Sequence, residues 1–106
     1  MDMDEYQGHA LKSVAITKKG TAALAHRTLG LTGEAGVLAN QLKKVIRDKD
    51  SIPDKEDLVV AKKRLGDVLY YVAILADYFD LSLSEIAQQN AADSDTFLRD
   101  RKSRKK

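Results

Sequence analysis

The sequence predicts an all-α fold: a four-helix bundle completed by oligomerisation. Three observations predict it. Apolar residues recur at spacings of three and four in four successive stretches. The β-branched residues sit singly inside those stretches, so no run reads as a strand. Between residues 65 and 79 only Gly66, Asp67 and Asp77 are neither apolar nor aromatic, which is more than the single buried face of a surface helix. A chain of 106 residues has too few helices to cover such a surface, so a dimer or tetramer with a shared core is expected.

The first helix is expected over residues 2–19, with Tyr6, Ala10, Leu11 and Val14 on one face and Gly20 as its stop. The second is expected over residues 28–48. Its stripe is Leu31, Ala35, Leu38, Leu42 and Val45, and Lys43, Lys44 and Arg47 suit its negative end. A loop at residues 50–54 follows, with Pro53 placed for a helix start. The third helix is expected over residues 54–79, with Leu58, Ala61, Leu65, Val68, Val72, Leu75 and Phe79 as its main stripe. The fourth opens on a capping box between Ser82 and Glu85 and continues through Leu83, Ile86, Ala87, Asn90 and Ala91. Phe97 and Leu98 are the last apolar residues.

One domain is therefore expected over residues 1–98, followed by a basic tail at 99–106 with mobility of its own. The tail, RDRKSRKK, carries six cations and one acid, while the rest holds 12 basic and 15 acidic residues, a net −3. It reads as a solvated terminus, or as an electrostatic arm for nucleic acid; no aromatic residue is interleaved in it, so nucleic acid is not the expected partner. There is no Cys, which excludes disulfides, Cys-ligated metals and a thiol nucleophile. The acidic start MDMDEYQ does not read as a signal peptide, and the apolar run at residues 68–76 is too short to span a membrane. A cytoplasmic location and no membrane partner are expected.

Two carboxylates interrupt apolar helical faces: Glu34 within GLTGEAG and Asp67 within the most apolar helix. Each is costly to keep ionised there without a cation or hydrogen bonds. They read either as solvated or salt-bridged edge residues, or as ligands for a divalent metal in a bundle core. Gly33, Gly36 and Gly66 are expected to admit a close neighbour. His9, on the first helix, and His26, in the loop before the second, lack a partner at i+4 and read as edge residues.

GLTGEAG at residues 30–36, LGDVLYYVAILAD at 65–77 and LSLSEIAQQN at 81–90, with Glu5-Tyr6-Gln7 before them, resemble the MazG-like family of all-α nucleoside triphosphate pyrophosphohydrolases. The resemblance covers residues 5–90. It implies a helical dimer or dimer of dimers that hydrolyses a nucleoside triphosphate to the monophosphate and pyrophosphate. It also implies Mg²⁺ held by an E-x-x-E pair on one helix and an E-x-x-D pair on the next. Residues three apart share a helix face, and hard oxygen ligands suit Mg²⁺.

On this pattern Glu34 and Asp67 are the retained metal-binding and catalytic positions. Val37 and Arg64 stand where the other two carboxylates are expected, so the site's formal charge is −1 rather than −4. Tyr70 and Asn90 take the substrate-binding positions; Tyr70 reads equally as core packing. Asp93 replaces the Lys of the family's N-x-x-K, with Arg99 and Arg101 as the other cations on offer. Three readings follow: a pyrophosphohydrolase of impaired activity, a silent nucleotide-binding or regulatory homo-oligomer, and a nucleic-acid-associated protein using the tail. Arg64 is expected to stand in for the metal by bonding both Glu34 and Asp67.

Overall fold

Short polar signals set the helix boundaries. In the computed structural model, which describes residues 1–14 and 19–104, the elements are α1 (Met3–Leu11), α2 (Thr21–Lys49), α3 (Lys55–Tyr78) and α4 (Leu83–Arg104). No strand occurs among the described residues. The Asp2 carboxylate caps α1 by accepting the Glu5 N–H at 2.8 Å. The helix ends at Leu11, not at residue 19, because turn bonds from Lys12 and Ser13 close it. Residues 15–18 of the expected first helix lie outside the described residues. Gly20 is not the stop of α1 but the N-cap of α2, with φ 139°, which L side chains rarely adopt. Thr21-Ala22-Ala23-Leu24 therefore starts α2 well before residue 28, and His26 lies on that helix rather than in a loop.

Asp50 and Ser51, with φ 52° and 64°, turn the chain into α3. Asp54 and Asp57 each accept the other's backbone N–H, and Lys49 donates to both carboxylates at 2.7 Å. The Lys49 ammonium, helped by the Asp57 N–H, holds the Asp54 carboxyl below its usual range. The start of α4 is capped partly from outside. The Glu85 N–H donates to Ser82 Oγ at 3.3 Å, but Ser82 itself donates to Asp4, which also accepts the Ser84 N–H. Gln7 Oε1 accepts the Leu83 N–H at 3.0 Å.

The core sits where α1 and α4 meet the C-terminal half of α3: Ala10, Ala73, Ile74 and Leu83, flanked by Tyr6, Leu11, Val14, Tyr70 and Tyr71. The face expected on α1 is borne out. On α3 the buried residues are Ala73, Ile74 and Ala76, whereas Leu58, Leu65 and Phe79 of the expected stripe are exposed. Ala61, Val68, Val72 and Leu75 of that stripe are half-buried, so the neighbours within the chain cover it only in part. On α2 only Val45 of the expected stripe is buried, and Leu42 is exposed.

Besides Gly20, whose φ demands it, Gly30 needs to be Gly for lack of space. A Cβ there would lie 2.1 Å from the Tyr71 ring, while Gly33, Gly36 and Gly66 have no atom within 4 Å of that position. Gly30→Ala should therefore destabilise the protein by about 1–2 kcal/mol through overpacking, despite the better helix propensity of Ala. Gly8→Ala on α1, in open space, should instead stabilise by up to about 1 kcal/mol. Urea denaturation of both variants checks the opposite signs.

The chain is extended for its size. Its radius of gyration is 17.2 Å, against about 13 Å for a compact domain of this length. It exposes 8010 Å², against about 5,900 Å² for a compact monomer of this mass. Much of that surface is apolar, including Leu29, Ile46, Leu58, Val59 and Leu65 along α2 and α3. Residues 99–104, expected as a tail, continue α4, and all residues from 88 to 104 are exposed. Residues 105–106 lie outside the described residues. No described helix is long and apolar enough to cross a membrane.

Candidate functional site

The helices α2 and α3 run antiparallel, and three contacts fix their register. Arg27 donates to the Ile74 carbonyl, Gly30 abuts Tyr71, and Gln41 Nε2 donates to the Asp57 carbonyl at 3.1 Å. One turn from the Gly30–Tyr71 contact, Glu34 stands level with Asp67; the next turn sets Val37 level with Arg64. By this register Glu34 and Val37 on α2 fall at the same levels as Asp67 and Arg64 on α3.

The side chains there pair unequally. Asp67 Oδ2 lies 3.3 Å from Lys63 Nζ and 3.7 Å from Arg64 Nη1. Both cations belong to α3 itself, at i−4 and i−3. Glu34 is half-buried, and its Oε2, shut off from solvent, has no hydrogen-bond partner among the described residues. Arg64 does not bond both acids as expected: it forms a loose ion pair with Asp67, at 3.7 Å beyond hydrogen-bond reach, and no ion pair to Glu34 occurs among the described residues. Spacing within one helix fixes an i,i+3 pair, whereas the reach across to α2 depends on rotamer. Val37 is 42% exposed at the same level and offers no ligand.

A Mg²⁺ ion does not fit these residues. It needs several oxygen ligands in near-octahedral array. Asp67 already pairs with two cations, Glu34 is the one other carboxylate at this level, and no group of three or more His, Cys, Asp or Glu suited to a metal occurs among the described residues. Other acids are engaged elsewhere: Asp57 caps α3, and Asp77 lies 3.5 Å from Arg27.

Tyr70 is part of the core, its ring edge-on to Tyr71 at 5.1 Å. Tyr6 packs beside it, and its hydroxyl pKa is raised by burial first, then by the nearby Tyr70 and Asp67. Asn90 is not brought to this place. It is exposed on α4, in a groove with Ile86 and Asp93, and Asp93 accepts from Gln89 at 2.9 Å. His9 is exposed on α1; the ring of His26 lies 6.1 Å from that of Tyr71.

Two buried polar residues escaped the sequence reading. Gln7 is 8% exposed and Arg27 3%. Both sit at positions where an apolar stripe continues, Gln7 between Tyr6 and Ala10 and Arg27 between Ala23 and Leu31, and that interruption was the available signal. Gln7 Nε2 donates to the Ala73 and Leu81 carbonyls at 3.1 and 3.0 Å. It thereby ties α1 to α3 and to the α3–α4 link.

Over 94 residues the chain is 43% identical to the "Gene 37 protein" of Mycobacterium phage L5, a match spanning 85% of this chain and 82% of that protein. No family model matches the chain. No solved structure matches it either.

Proposed function

We propose, for a chain that belongs to the same family as the Gene 37 protein of Mycobacterium phage L5, a MazG-like homo-oligomer whose nucleoside triphosphate pyrophosphohydrolase site is impaired. One observation carries this reading: Lys63 and Arg64 lie 3.3 and 3.7 Å from the Asp67 carboxylate, where the resemblance places a metal ligand. A guanidinium keeps its charge at any accessible pH. At about 4 Å its repulsion of a cation is worth about 4 kcal/mol per unit charge at a protein surface. Hydrolysis that depends on a divalent ion is correspondingly weak, and the helical scaffold persists without the ion.

The homo-oligomer is supported by the surplus surface. The excess over a compact monomer, about 2,000 Å², is of the size that one protomer buries in an obligate dimer. A second copy lying along α2 and α3 covers Leu58 and Leu65.

Pyrophosphate release from a panel of deoxynucleoside triphosphates with Mg²⁺ tests the reading. Release by the unmodified protein should stay near background. The double variant Val37→Glu, Arg64→Glu, which restores four carboxylates, should raise it. Rapid hydrolysis by the unmodified protein would show that the site is not impaired.

A further inference from the structure

The outer part of α4 has no place in that reading. All its side chains from residue 88 onward are exposed, and a helical segment of this length is marginal in water without something packed on it. Phe97, Arg101 and Arg104 follow at spacings of four and three, so one ring and two guanidinium groups share a face. With Asp100 they line one groove. Phe97 is 63% exposed. Arg101 and Arg104 have no ion-pair partner among the described residues, whereas Arg99 folds back on Thr96 Oγ1 at 3.3 Å. Lys102 adds a further charge at the edge. Residues 99–106 contain no aromatic side chain, but the helix brings Phe97 into their array.

We propose that the distal half of α4 binds single-stranded nucleic acid, with Phe97 as a stacking platform and Arg101 and Arg104 as phosphate contacts. An aromatic ring flanked by free guanidinium groups matches a base with its neighbouring phosphates. A duplex keeps its bases stacked and leaves the ring unused. The net negative body repels the polyanion and confines contact to the arm.

Fluorescence anisotropy of the full chain with a labelled oligothymidylate, about twelve nucleotides long, tests the proposal across a salt series. With Lys102 at the edge as a third phosphate contact, the slope of log affinity against log salt is about −2. Arg101→Gln with Arg104→Gln should flatten it by about 1.4, and Arg101→Lys with Arg104→Lys should leave it unchanged. Phe97→Ala should weaken binding about tenfold at every salt concentration without changing the slope. A duplex of equal length should bind more weakly. Circular dichroism and light scattering should be unchanged in all these variants, because the substituted side chains are exposed. No binding at low salt would overturn the proposal, as would affinity indifferent to the Gln substitutions. Equal binding to phosphatidylserine vesicles would assign the arm to a membrane instead. A fall in oligomer mass in the Gln variant would assign it to a second copy.

Discussion

Replacing Gln7 with Leu should lower the unfolding free energy by about 3 kcal/mol. The carboxamide accepts the Leu83 N–H and donates to the carbonyls of Ala73 and Leu81. All three groups belong to α3, the α3–α4 link or the first residue of α4, so one side chain on α1 holds the junction together. Leu fills similar space and gains transfer energy, but it leaves the Leu83 N–H and the Leu81 carbonyl without this partner. Stranding the buried Leu83 N–H costs about 1–3 kcal/mol, and the part-buried Leu81 carbonyl adds a smaller amount. A domain of this size has only about 5–15 kcal/mol in hand, so the loss is large. Urea denaturation measures it. A decrease under about 1 kcal/mol would mean that water replaces the carboxamide and the junction is not closed.

Leu65→Asp should split the proposed homo-oligomer while leaving the protomer helical. Leu65 is 56% exposed in the single chain, so a charge there costs little within the protomer and much within an apolar interface. Loss of one central contact is worth about 2 kcal/mol or more, at least about thirtyfold in the dissociation constant. Ile74→Asp is the control for folding. Ile74 is fully buried within the chain, so that change should abolish the fold rather than only the assembly. Light scattering and circular dichroism at micromolar concentration separate the two outcomes. A Leu65→Asp protein of unchanged mass would place the interface elsewhere.

Helix class and α3 were legible in the sequence because they rest on local signals. The apolar period ran through residues 58–79, and Pro53 with Asp54 marked the start. The boundaries of α1 and α2 were not, because Gly20 is compatible with a C-cap and with an N-cap, and only its φ of 139° shows which it serves. The buried face of α3 was misread because hydrophobicity identifies faces that need cover without saying which neighbour supplies it. Leu58, Leu65 and Phe79 of its apolar stripe stay exposed, Ala61, Val68, Val72 and Leu75 are half-buried, and Ala73 and Ile74 pack with Ala10 of α1 and Leu83 of α4. At the candidate site the helix periods placed Glu34 level with Asp67. They could not show that Arg64 turns to the acid of its own helix and leaves Glu34 Oε2 without a partner.

Calorimetric titration with Mg²⁺ measures most directly whether cationic side chains have displaced the metal. The unmodified protein should give no binding heat below millimolar Mg²⁺, and the Val37→Glu, Arg64→Glu variant should bind with one site per chain. Micromolar binding by the unmodified protein, lost on Glu34→Gln or Asp67→Asn, would contradict the account, because it would place a metal where Lys63 and Arg64 now pair with Asp67.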